Sequence, residues 1–254
     1  MNIRIIVAAT KNYWMPADSV YLPLCVGAAL GNRTLFAGDD TGDSISEKNR
    51  NYCELTGLYW AWKNLEADYI GLCHYRRYFT RHNSYHVLKR RKEILTEGEW
   101  ENLLEQYPVI VPQRRRYRIE SNRSHYNHAH PGIALDGTEE IIHQMYPDYD
   151  TSFQKVMNRT WAHMFNMFVM RRDYFNQYME WLFSILFTLE KEMDISGWDS
   201  YQSRVYGFVA ELLLDVWMEK NNIVYKEQTL SFMEKQNWVK KGGLFLKRKI
   251  VGHW

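Results

Sequence analysis

The segment Gly71-Leu-Cys-His-Tyr-Arg-Arg-Tyr-Phe79 carries the densest set of chemically useful side chains in the 254-residue chain. One His, two adjacent Arg and two Tyr follow an apolar run, Asp68-Tyr-Ile-Gly-Leu-Cys73, that reads as a strand. In open α/β sheets, ligands bind beyond the carboxyl ends of strands. A guanidinium presents a planar fork of donors that matches phosphate oxygens, and an aromatic face can stack on a base or sugar. His74, Tyr75, Arg76 and Arg77 therefore point to an anion-binding, aromatic-lined site. The same residues also suit a surface loop with a few salt bridges.

The acidic candidates are fewer. Glu211 sits in Gly207-Phe-Val-Ala-Glu-Leu-Leu-Leu214, where a carboxylate is costly to bury unless it is paired. It is either the structural partner of an Arg or a catalytic group. Asp199, on the segment before the same helix, is its rival. Glu54 reads as a solvated helical carboxylate. Asp39-Asp40, just before Gly42, could hold a ribose or a base edge, but turn capping is the default. His125, His128 and His130 fall within six residues, which suggests a metal. Those spacings share no face of a helix or a strand, so substrate hydrogen bonding or plain loop structure is expected instead. A Walker pattern, a GxGxxG after the first strand and a GxSxG are all absent. Mononucleotide hydrolysis, a nicotinamide fold and an α/β-hydrolase are disfavoured accordingly.

The elements that must position these groups follow from hydrophobic periodicity. Residues 3–9 form a buried first strand, 38–43 a turn, 46–65 a helix and 68–73 a second strand. That β–α–β order predicts a mixed, mainly parallel central sheet flanked by helices. Further on, a helix is expected over 93–106, a strand over 108–112 and a long Arg- and His-rich loop over 113–134. Two short helices broken at Pro147 fill 138–158, and a strand fills 163–170. Helices over 173–193 and 201–220 make the C-terminal part helical, and 223–225 reads as a last short strand.

Composition narrows the partners. Net charge is +2, from 32 basic and 30 acidic residues, which does not suggest a nucleic-acid binder. An RNA-binding domain built on the Arg and aromatic clusters is disfavoured for that reason and for want of an RNP-type motif. Aromatics reach 15%, enough to line a sugar or base cleft as well as a core. Cys25, Cys53 and Cys73 show no paired spacing, so neither a disulfide framework nor a Cys-based zinc site is expected, and a reducing cytoplasm fits. The N-terminus reads as a strand rather than a signal peptide, and the run 181–189 is too short to span a bilayer.

Three segments carry a resemblance. Ile45-Ser-Glu-Lys-Asn49, Tyr52-Cys-Glu-Leu-Thr-Gly-Leu-Tyr-Trp-Ala-Trp-Lys-Asn64 and Gly71–Phe79 resemble the signature of bacterial capsular-polysaccharide and exopolysaccharide glycosyltransferases, a family long labelled only as a domain of unknown function. Asn166-Met-Phe168, Tyr178–Phe183 and Tyr201–Phe208 with Glu211 resemble its later motifs. The resemblance covers about residues 3–228. It implies one GT-A-like, Rossmann-like α/β domain over 1–228, followed by a basic, aromatic tail over 229–254. It also implies transfer of a sugar, galactofuranose or galactose favoured, from a UDP-sugar in capsule or O-antigen synthesis.

The acceptor would be a glycan or an undecaprenyl-diphosphate-linked oligosaccharide. GT-A enzymes commonly hold Mg²⁺ or Mn²⁺ on an Asp-x-Asp at the central strand end. Here that position reads His74-Tyr-Arg76-Arg77, so cationic side chains replace the metal and no cofactor is expected. By the same resemblance, Ala9, Thr10, Lys11 and Asp39-Asp40 would contact the nucleoside, and His74, Tyr75, Arg76 and Arg77 the diphosphate. His125, His128, His130 and Asn166 would line the sugar or acceptor region. Glu211 or Asp199 would take the acceptor proton. A non-catalytic nucleotide- or carbohydrate-binding protein of the same fold is the alternative. Residues 235–249 carry six Lys or Arg among Trp238, Leu244, Phe245 and Leu246, which predicts peripheral attachment to the inner face of the cytoplasmic membrane.

Overall fold

The computed structural model describes residues 1–84 and 86–234. Strand β1 (Ile3–Ala9) is apolar on both faces. Ile6 and Ala8 join one core, and Ile3, Ile5 and Val7 join the other. Such a run needs cover on both sides of the sheet. β2 (Tyr21–Cys25) and the two-residue β3 (Ala37–Gly38) extend the sheet in parallel on one flank. Helices α1 (Asn49–Tyr52) and α2 (Leu55–Asn64) lead to β4 (Tyr69–His74), which pairs in parallel with β1 on the other flank. β5 (Arg77–Phe79) turns back antiparallel on β4.

The chain continues through α3 (Val87–Lys92), α4 (Glu97–Leu104), β6 (Val109–Pro112) and β7 (Arg115–Arg116). Next come α5 (Asn122–Ala129), α6 (Gly132–Met145), α7 (Asp150–Met157), β8 (Trp161–Ala162) and β9 (Phe168–Arg171). It finishes with α8 (Arg172–Glu192), α9 (Val205–Lys220), β10 (Tyr225–Gln228) and β11 (Leu230–Phe232).

The main sheet runs β10-β6-β9-β4-β1-β2-β3, with β5 and β11 attached at the edge of β4. Only β9 lies antiparallel within that row, between β4 and β6. The expected mixed, mainly parallel sheet flanked by helices is what forms. Gly71 lets β9 approach, because a Cβ there would stand 2.7 Å from the Phe168 carbonyl oxygen. One face is covered by α2 and α6 to α9, and the other by α4 with Trp100 and Leu104.

Several expected elements change. The helix over 46–65 is broken at Cys53, whose φ of 53° lies in the left-handed region. The helix expected from 93 starts at Glu97, behind a capping box of Thr96 and Glu99. The long loop over 113–134 contains β7 and all of α5, which Ser121 caps through the Ser124 amide. The strand over 163–170 begins only at Phe168. The boundary after 228 also moves, because β11 pairs with β5 and Met233 is buried. The basic residues of the expected membrane tail, 235–249, lie outside the described residues.

Candidate functional site

A cleft of about 910 Å³ opens at the carboxyl ends of β1, β2 and β4. Ala8, Thr10 and Val26 form its strand-end floor. His74, Tyr75 and Arg76 line one wall, as the sequence predicts, and Glu54 and Arg204 line another. Lys11 is exposed at the rim, 5.6 Å from the Tyr75 ring centre. Ala9 is buried and does not line the cleft; its carbonyl accepts from the Val26 amide.

Asp39 is not a nucleoside contact. It is fully buried, and its carboxylate accepts from the Gly27 and Ala28 amides at 3.1 Å each, from Thr56 Oγ1 at 2.6 Å and from Ser46 Oγ. Every one of those donors is needed by the fold: they tie the end of β2 to the start of α2. Gly27 adopts φ +71, and a Cβ on it would collide with Asn49. Asp40 is exposed and stands outside the cleft lining.

The break at Cys53 has a chemical consequence. It sets Glu54 at the N-terminal cap of α2, where it faces the cleft instead of solvent. Asn166, almost fully buried, donates from Nδ2 to Glu54 Oε1 at 2.8 Å and to the Gly207 carbonyl at 3.0 Å. Asn166 and its neighbour Phe165 both have positive φ, 53° and 79°. That left-handed pair reaches three site groups at once. The Asn166 side chain holds Glu54, the Phe165 backbone helps lower the Glu211 carboxyl, and the Phe165 carbonyl accepts from His74 Nε2 at 2.8 Å. A carbonyl can only accept, so Nε2 carries the proton of a neutral His74.

Glu211 does not line the cleft, but its carboxyl feels the charges of Glu54 and Arg77. Burial and then the neighbouring charge of Glu54 push its carboxyl up to about 7, against the opposing pull of Arg77 and Arg115. His74 is shifted down, first by burial and also by Arg77 and Arg76, with Glu54 opposing. Arg77 stacks on Phe165, with its guanidinium carbon 4.4 Å from the ring centre. Three buried polar atoms, Arg77 Nε, Tyr126 Oη and Asn166 Oδ1, have no hydrogen-bond partner among the described residues. Buried polar atoms are nearly always satisfied, so each leaves room for a water or a polar ligand group.

Other predicted residues do not gather here. The Asp199 carboxylate caps its own turn, accepting from the Tyr201 and Gln202 amides at 2.7 and 2.9 Å. The three imidazoles also separate. His125 and His128 approach buried Glu120 at 3.2 and 3.5 Å, whereas His130 stacks on Phe208 at 3.9 Å and meets Gln202. Among the described residues, no three His, Cys, Asp or Glu side chains gather as a metal-holding group. A buried pair not foreseen in the sequence, His163 Nδ1 with Asp215 Oδ1 at 2.5 Å, braces α9 one turn beyond Glu211.

Comparison with known proteins places this geometry. The family model for a domain of unknown function, DUF4422, matches residues 4–222. A solved structure described as the apo form of the WbbM bifunctional glycosyltransferase is similar, with a TM-score of 0.85 and 30% sequence identity. The match covers 92% of this chain and 46% of that one, so the chain spans about half the length of that relative. The shared fold is GT-A-like α/β. No curated protein matches the chain.

Proposed function

The chain belongs to the DUF4422 family, and from its cleft we propose that it is a glycosyltransferase that uses a nucleoside-diphosphate sugar. The observation that carries this reading is one left-handed turn, Phe165-Asn166, joining a cationic strand end to a carboxylate pair. Charge develops on the diphosphate as the bond from the anomeric carbon to its phosphate oxygen breaks. Arg76 and Arg77, with His74 beside them, oppose that charge, which is the largest lever on such a step. The acceptor hydroxyl oxygen forms the new bond to the anomeric carbon, and its proton passes to Glu211. Glu54 keeps Glu211 basic by disfavouring a second negative charge beside it.

UDP is the proposed carrier and galactofuranose or galactose the sugar. The acceptor is a glycan or an undecaprenyl-diphosphate-linked oligosaccharide of a capsule or O-antigen. The likeness to a structure described as a glycosyltransferase supports sugar transfer, the strand-end cleft supports a nucleotide donor, and the sequence resemblance suggests the sugar and acceptor. Titration calorimetry with UDP tests it. Arg76→Ala and Arg77→Ala should each weaken UDP binding by about 1.5–3 kcal/mol while the melting temperature shows a folded protein. Affinity should be the same in EDTA, since the cationic side chains carry the phosphate charge. Two variants that bind UDP like the parent would remove the cluster from the donor site.

Peripheral attachment at the inner membrane face is proposed from the basic sequence of 235–249. Flotation with anionic liposomes checks it. A version ending at Glu234 leaves β11 intact and should lose binding. Equal flotation by both versions would rule out the tail as the anchor.

A further inference from the structure

Residues 114–123 hold five Arg, and their surroundings divide them. Arg114 pairs with Glu227, and Arg123 with Asp136 at 2.8 Å and with Glu139. Arg115, Arg116 and Arg118 are exposed and have no ion-pair partner among the described residues. These three line a second cavity, of about 200 Å³, together with Tyr117, Glu120 and His125. Tyr117 stacks on His125 at 4.0 Å, which fixes one wall. The Glu120 carboxylate is buried beside His125 and His128 and shares the cavity wall with the Arg trio, one acid against three cations.

The position of this cavity matters. Glu54 lines the large cleft and Arg115 lines the small cavity, and both act electrostatically on Glu211. The two residues pull the Glu211 carboxyl in opposite directions. A cavity of this size falls below the roughly 300–1,000 Å³ of sites that enclose a whole drug-sized ligand. It suits one charged group and leaves the rest of the molecule outside. Unpaired guanidinium forks recognise phosphate or carboxylate oxygens.

We infer that Arg115, Arg116 and Arg118 form an acceptor subsite for an anionic group, a diphosphate or the carboxylate of an acidic sugar, with the acceptor hydroxyl presented to Glu211. This rests on the glycosyltransferase reading and adds the charge class of its acceptor. Neutral saccharides are the substrates it disfavours.

The test uses the full chain saturated with UDP, so that the large cleft is filled. Methyl diphosphate, glucuronate and methyl glucoside are titrated by calorimetry into the parent and into an Arg116→Gln/Arg118→Gln variant. The parent should bind at least one of the two anions and not the glucoside. The variant should bind that anion about tenfold more weakly or worse, with its UDP affinity unchanged. Binding of methyl diphosphate alone identifies a phosphate-linked acceptor, and binding of glucuronate alone an acidic sugar. Equal anion affinity in parent and variant, or no anion binding by the parent, overturns the subsite. Should UDP fail to bind, the donor reading falls. Inorganic pyrophosphate titrated without UDP then compares the same two proteins, and equal affinity again refutes the subsite.

Discussion

Glu211→Gln is expected to lower the rate of sugar transfer by about 10²–10⁴-fold, with donor affinity little changed, because the amide keeps the shape and cannot take a proton. Single-turnover transfer and UDP titration read the two effects separately. The pH dependence has a defined sign. The proton-accepting form of Glu211 exists above about 7, so the parent rate should rise with pH through that value. The variant should lose this limb. Stability moves the other way. Folding raises this carboxyl from its ordinary 4.5 to about 7, so the folded state prefers the protonated form. That preference stabilises fully below the unfolded value and fades as pH rises through the folded one. The neutral Gln should therefore make the protein more resistant to heat above pH 7. Unchanged turnover in a folded variant would take Glu211 out of the reaction, and Glu54 would replace it as the first candidate.

Asp39→Ala should destabilise the fold by about 3–5 kcal/mol, the scale on which several buried donors lose a charged partner. Two amides and two hydroxyls converge on that carboxylate, with no solvent to replace it. Asp39→Asn keeps the shape and part of the acceptor capacity, so its loss should be intermediate. Urea denaturation measures both. A loss under about 1 kcal/mol for the Ala variant, the range of ordinary surface substitutions, would mean that Asp39 does not anchor the cleft floor.

What the sequence made visible follows from how local each signal is. His74, Tyr75 and Arg76 were legible because a strand end followed by cations is a contiguous pattern. Glu211 was legible because one charge interrupts an apolar helix. Glu54 was not, since its exposure to the cleft depends on a helix break at Cys53 that periodicity does not record. Asp39 looks like any turn carboxylate until Ser46 and Thr56, 7 and 17 residues later, fold onto it. β2 was hidden by Pro23, which cannot donate to a ladder. The strand tolerates it because β3 pairs only with Leu24 and Cys25, so at Pro23 one side of β2 is an edge. The Arg-rich segment looks like a loop in sequence because α5 has little apolar content to announce it, and its cap comes from a single Ser.

The Phe165-Asn166 turn sets a trap for protein engineering. Two successive non-glycine residues in left-handed backbone cost about 1–3 kcal/mol each, and glycine would relieve both. Backbone strain taken alone would recommend glycine at both positions, yet the Phe165 ring packs on Phe232 and the Arg77 guanidinium, and the buried Asn166 amide bonds Glu54 and Gly207, so the lost contacts outweigh the relief. Glycine at 166 deletes the carboxamide that holds Glu54, and glycine at 165 frees the backbone whose carbonyl fixes His74. Relaxing this turn would therefore cost stability as well as carboxylate alignment, and the surrounding contacts are what hold its strain in place.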